Sequence, residues 1–160
     1  MSSTDSHESG AAPKATAFTP VGLQLHHVGL VVADLDAAVA QYAALGFTGG
    51  ERFHLVDQQV NVVTFNAGPG YVELIQPTDD EGPIARFMAK RGPGMHHVAY
   101  GVVDLATTLT TLAAAGVRLI DVTPRTGAHR WRIAFIHPES CQGVLTELVE
   151  VTSNALPRHP

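Results

Sequence analysis

"LHHVGLVVADLDAAVAQYAALGF", residues 25–47, and "GMHHVAYGVVDLATTLTTLAAAGV", residues 94–117, are two versions of one pattern. Each runs from paired histidines through an apolar stretch to an aspartate, a helical period and a glycine. A shift of 70 residues, without gaps, places His26 and His27 on His96 and His97, and Val28 on Val98. It also places Val32 on Val102, Asp34 on Asp104, Leu35 on Leu105 and Gly46 on Gly116. So many matches over about twenty positions mark an internal repeat.

Each copy predicts a strand, a helix and then several strands. Residues 23–33 and 95–103 are rich in Val, Leu and Tyr, which strands favour. Asp34 and Asp104 suit N-caps, because a carboxylate accepts from the free amides of a first helical turn. Leu35, Val39 and Tyr42 recur at helical spacing, as do Leu105, Leu109 and Leu112. Gly46 and Gly116 suit the left-handed stop. Further strands are predicted over 59–66, 70–76, 118–122, 131–137 and 143–151, with a short helix over 82–90 opening at "GPIARFM". The fold class is therefore α+β. Two tandem βαβββ modules, about 22–78 and 94–151, form one domain over 22–152 and pair their sheets around a shared cleft.

Residues 1–21 and 153–160 are expected to be disordered tails. "MSSTDSHESGAAPKATAFTP" is rich in Ser, Thr, Ala and Pro. It has no apolar core for a secretory signal, and its Asp5 and Glu8, without any Arg, argue against a mitochondrial leader. The net charge of −5 and the scattered Lys and Arg residues exclude a nucleic-acid groove. The single cysteine, Cys141, forms no internal disulfide, so a cytoplasmic location is expected. No apolar run is long enough to span a membrane.

Alternate strand residues share a face. His27 therefore lies with Leu25, Gly29 and Val31, and His97 with Met95, Ala99 and Gly101. The small neighbours leave room for something other than side chain. His26 and His96 are expected to point the opposite way. Glu73 in "GYVELIQP" and Glu147 in "GVLTELVE" each interrupt an apolar strand, where an unpaired charge is costly. One histidine and one glutamate per module give a two-His, two-carboxylate set, His27, Glu73, His97 and Glu147. Two neutral imidazoles and two carboxylates balance one divalent cation, and the N/O donors favour an open transition-metal site.

The stretches "HHVGLVVADLDAA", "DQQVNVVTFNAGPGYVELIQPT", "GPIARFMAKRGPGMHHVAYGV", "GVRLIDVTPRTGA" and "IAFIHPESCQGVLTELVE" follow one another in an order that resembles the vicinal oxygen chelate (glyoxalase-like) superfamily. Within it they resemble the methylmalonyl-CoA epimerase family. The resemblance covers about residues 23–150 and implies the same four ligands. It implies a divalent metal, Co2+ first, with Mn2+, Ni2+ or Zn2+ as alternatives. That metal chelates the thioester carbonyl and free carboxylate of an acyl-CoA substrate while its α-proton is removed. It also implies a homodimer. Some relatives place a catalytic glutamate in the strand that here carries Val62, next to Asn61; neither is a base. Glu73 and Glu147 are then the expected acid–base pair. Where relatives have small residues after "PR.GA", this chain has His129 to Arg132, so Arg130 and Trp131 are expected to add bulk and charge near the substrate.

Three other functions share features with this reading: a glyoxalase-type isomerase acting on a hemithioacetal, a ring-cleaving dioxygenase and a metal-free binding protein. "FIHPESCQGVLTEL" favours the epimerase over the first. A fourth protein ligand disfavours the second, and the full ligand set disfavours the third.

Overall fold

The computed structural model describes residues 23–152, so both expected tails lie outside the described residues. The first module comprises β1 (Gln24–Val31), α1 (Leu35–Ala44), β2 (Glu51–Leu55), β3 (Val60–Ala67) and β4 (Gly70–Pro77). A linking helix, α2 (Pro83–Arg91), leads to the second module: β5 (Gly94–Val102), α3 (Leu105–Ala114), β6 (Arg125–Thr126), β7 (Arg132–Ile136) and β8 (Thr146–Glu150). Both modules are βαβββ, as the repeat predicts. Their caps form as expected: the Asp34 carboxylate accepts from Ala37 N–H, and that of Asp104 from Thr107 N–H.

All eight strands form one mixed sheet in the order β2-β3-β4-β1-β5-β8-β7-β6, and its two halves mirror each other in sequence order. β1 runs parallel to β4, β5 runs parallel to β8, and the halves join through the antiparallel pair β1·β5. In that pair Val28 faces Val98, its own repeat equivalent, so a pseudo-twofold axis passes between them. α1 packs Leu35 and Ala38 over Val63, Phe65 and Leu74, while α3 packs Leu105 and Leu109 over Ala134 and Leu148. The helices therefore cover one face of each half, and the other face is left to line the cleft.

Two strand expectations need correction. Residues 51–55 form β2, which the sequence reading passed over, because exposed Glu51, Arg52 and His54 alternate with half-buried Phe53 and Leu55 on an edge. Residues 118–122 are not a strand, and only Leu119 makes a bridge, to Ile136. Beyond it, Ile120 and Asp121 both donate their N–H groups to Phe135 O, and the Asp121 carboxylate accepts from Phe135 N–H. A side chain thus occupies the position of a ladder partner and ends the pairing.

Candidate metal and substrate site

The register explains how four separated residues meet. Glu73 on β4 pairs with Gly29 on β1, which in turn pairs with His97 on β5. Two rows on, on the same face, His27 pairs with Ala99, which pairs with Glu147 on β8. Each small residue thus separates a glutamate of its own module from a histidine of the other. With strands about 4.8 Å apart, two side chains flanking a Gly or Ala can lean together over it. The fit is tight: a Cβ at Gly29 would fall inside 3.0 Å of ring atoms of His97. The structure gathers His27, His97 and Glu147 into one compact group, with the Glu73 carboxylate at its edge.

Nε2 of His27 lies 2.9 Å from Nε2 of His97. Oε2 of Glu73 lies 3.7 Å from the His27 Nε2 and 3.9 Å from that of His97. Oε2 of Glu147 lies 3.9 Å and 3.3 Å from the same two atoms. The ligand atoms of His27, His97 and Glu147 all lie within 4.8 Å of one another. Donors about 2.1 Å from a common ion are separated by roughly 3 Å when adjacent and roughly 4 Å when opposed. His27, His97 and Glu147 therefore fit one divalent cation, and Glu73 stands beside them as the outlying fourth donor.

The electrostatics point the same way. Burial, and then the charges of His26 and His129, lowers His27 from 6.5 to about 3. Burial, followed by His27 and His96, takes His97 well below its ordinary value. Both rings are neutral, as ligands must be. Burial pushes Glu73 up from 4.5 to about 7. It also raises Glu147 well above its ordinary value, where Glu73 and Asp121 add to the rise and Arg125 opposes it. Among the described residues no Lys or Arg pairs with either carboxylate within ion-pair distance. The missing compensation is positive charge, which a divalent cation would supply. The Thr64 hydroxyl, next to Glu73 in the same row, is likewise buried without a partner.

His26 and His96 correct the sequence reading. They do not turn to the opposite face, because each is the extra residue of a β-bulge. Between the pairs Leu25↔Tyr100 and His27↔Ala99, β1 carries one residue more than β5, namely His26. Between Gly29↔His97 and Leu30↔Met95, β5 carries the extra residue, His96. A bulge re-aims side chains that regular alternation would separate. Nδ1 of His26 lies 2.9 Å from Nδ1 of His27, and the His96 and His97 pair repeats that 2.9 Å. Burial, then His129, lowers His26 to about 4, and burial lowers His96 to about 4.

Glu73, His97 and Glu147 face a cavity of about 290 Å³. Its walls are mainly apolar: Val60, Val62, Ile75 and Ile84 from the first half, and Ile133, Phe135 and Leu145 from the second. Trp131 lines it as expected and stacks over His27, with ring centroids 5.8 Å apart. Arg130 does not line it; its place as the cavity's cation is taken by Arg125, whose guanidinium lies 5.1 Å over the Phe135 ring. Asp57 and Gln58, from a 3-10 turn at Val56–Gln58, are also on the wall. The sequence reading missed Asp57 because the strand pattern draws attention to residues 59–66 and away from "DQQ" before them. Asn61 faces outward and meets His54 Nδ1 at 2.7 Å.

A mixed sheet cupped around a buried His/Glu cluster defines a class, and comparison with known proteins specifies it. The sequence profile of the Glyoxalase/Bleomycin resistance protein/Dioxygenase superfamily matches residues 26–135. The ethylmalonyl-CoA/methylmalonyl-CoA epimerase of Cereibacter sphaeroides is 36% identical over 131 residues, 80% of this chain and 98% of that protein. The crystal structure of methylmalonyl-CoA epimerase from Mycobacterium tuberculosis superposes with a TM-score of 0.76 at 38% identity, over 83% of this chain and 89% of the other. A methylmalonyl-CoA epimerase in complex with methylmalonyl-CoA and NH4+ superposes with a TM-score of 0.76 at 32% identity, over 86% and 99%. The chain belongs to the glyoxalase/bleomycin resistance/dioxygenase superfamily and, within it, to the methylmalonyl-CoA epimerase family. Among the described residues no helix is long and apolar enough to cross a membrane.

Proposed function

We propose that the chain epimerises the α-carbon of a methylmalonyl-CoA-type thioester, using a divalent metal held by His27, Glu73, His97 and Glu147. The observation that carries this reading is the convergence of the His27 and His97 imidazoles with the Glu147 carboxylate, and Glu73 beside them, next to an apolar cavity. When bound, the cation supplies Lewis-acid stabilisation for negative charge on the thioester oxygen. The chain's own residues do the rest. Arg125, whose Nε donates to the Asp121 carboxylate 3.1 Å away, brings a guanidinium to the cavity wall on the side where an acidic substrate would enter. The apolar walls exclude water from the reacting carbon, which strengthens every charge interaction there.

Inversion needs a proton removed from one face and returned to the other. Glu73 and Glu147 come from opposite halves of the pseudo-twofold, and burial favours the protonated form of each, so a carboxylate loosened from its ligand role can hold a proton. They are the proposed acid–base pair as well as ligands. Co2+ is the favoured metal, with Mn2+, Ni2+ or Zn2+ as alternatives. The family resemblance supports a homodimer, and the single cysteine supports a cytoplasmic location.

The test is α-proton exchange in deuterated water on methylmalonyl-CoA and ethylmalonyl-CoA, with elemental analysis alongside. Metal-loaded protein that exchanges neither substrate sinks the function. Glu73→Gln and Glu147→Gln keep an oxygen donor and remove the base. Each variant should lose epimerisation yet exchange one isomer, with opposite preference. If both metal-loaded variants still exchange both isomers, the bases lie elsewhere.

A further inference from the structure

We propose that His26 and His96 are positioning residues for the metal site. Each accepts, at Nδ1, the Nδ1–H of its neighbouring ligand histidine, so that His27 and His97 present bare Nε2 atoms to one cation. This rests on the metal reading above and adds two residues to it.

The four imidazoles form a single chain through three approaches of 2.9 Å: His26 to His27 through Nδ1, His27 to His97 through Nε2, and His97 to His96 through Nδ1. A neutral imidazole carries one N–H and one lone pair. If His27 and His97 donate outward, both outer contacts are hydrogen bonds and two lone pairs face each other at the centre. Nitrogen lone pairs 2.9 Å apart repel unless both are turned onto one cation beside the N–N line, and the Glu147 oxygen lies close to both nitrogens, with that of Glu73 a little farther off. If a proton instead fills the central contact, one outer histidine must donate inward while the other accepts. That breaks the symmetry that the register maintains around Val28 and Val98. The outward tautomers satisfy both halves alike.

The backbone is arranged for this contact. Without the bulges, strand alternation would put each histidine of a pair on an opposite face. Both strands carry a bulge, at positions related by the repeat. The outer rings are also fixed by packing. His26 stands edge-on to Trp131, with centroids 4.5 Å apart, and lies 5.4 Å from Tyr71. His96 stands edge-on to Phe87 of α2 at 4.9 Å. An imidazole acceptor fixes the ligand's tautomer and ring angle without adding a formal negative charge, unlike a carboxylate partner. The cation therefore keeps more of its charge for an anionic substrate.

Two measurements test this. In Zn2+-loaded protein, long-range 15N–1H correlation should find the proton on Nδ1 of His27 and His97 and on Nε2 of His26 and His96. A proton on Nδ1 of either outer histidine overturns the proposal. Chelator competition should show His26→Leu and His96→Leu binding Zn2+ about 10–100-fold more weakly. His26→Asn and His96→Asn place an amide oxygen near the lost Nδ1 and should restore most of that affinity. The visible spectrum of bound Co2+ should shift in the Leu variants and return in the Asn variants. Leu variants with wild-type affinity and spectrum overturn the positioning role and leave the metal site standing. Wild-type protein that takes up no stoichiometric metal overturns both.

Discussion

His27 and His97 are buried to 1% and 3% exposure with their ring nitrogens directed at each other, so each supplies a large share of the donor set. His27→Ala and His97→Ala should each lose the metal, measured by elemental analysis after dialysis. Stoichiometric retention in both would exclude the site. Trp131 acts differently, as a wall of the cavity rather than a donor. Trp131→Ala should enlarge the space beside His27 and raise the preference for ethylmalonyl-CoA over methylmalonyl-CoA. One methylene is worth about 1–3 kcal/mol, so the ratio of kcat/KM values should rise at least about tenfold. An unchanged ratio would place the acyl group elsewhere. That His27, Glu73, His97 and Glu147 approach one another was legible in the sequence because strand parity and the repeat act on the same four residues. The orientations of His26 and His96 were not, since one inserted residue reverses parity and a bulge has no signature in this apolar run. Nor was Arg125, which reaches the cavity from a two-residue edge strand.

At the scale of elements, the repeat foretold both βαβββ units and both capped helices, and the local signal at "GPIARFM" foretold α2 between them. It failed where a side chain replaces a backbone partner, as Asp121 does after Leu119, and where an edge strand alternates weakly, as in β2. The pairing of β1 with β5 carries the most consequential geometry, because it delivers His27 and His97 to the two rows that flank the Val28–Val98 pair. Gly29 is what permits it. Gly29→Ala would drive a methyl into the His97 ring, which is fixed from the other side by Phe135 at 5.5 Å. Overpacking of this kind costs about 1–3 kcal/mol. The variant should therefore melt lower and bind metal more weakly. Val28→Ala, one residue away and half-buried, should melt lower without comparable loss of metal affinity. Equal metal loss in both would show that sheet stability, rather than space over Gly29, sets the site.

At the scale of the whole molecule, folding buries four histidines and two glutamates around one axis, and this makes stability depend on pH in two opposed ways. His27, lowered to about 3, and His26 and His96, lowered to about 4, are neutral in the folded protein where the unfolded chain would be charged. Their contribution is complete above the unfolded value of 6.5 and is lost as pH falls toward those depressed values. Glu73, raised to about 7, has the opposite sign. Between 4.5 and about 7 the folded protein retains a proton that the unfolded chain has released, so stability falls as pH rises through that window. Glu147, also raised, extends the decline. Metal-free protein should therefore be most stable near pH ~6.5 and weaken on both sides. A bound divalent cation favours ionised carboxylates and neutral imidazoles, so it removes the alkaline decline and steepens the acid one, as protons compete for the ligands. Thermal melting across this range, with EDTA and then with stoichiometric Zn2+, checks the argument. The EDTA curve should bend downward above its maximum, while the Zn2+ curve stays level. A metal-free curve that keeps rising through pH 8 would mean that Glu73 and Glu147 ionise in the fold without cost, and the electrostatic case for a cation between them would fall.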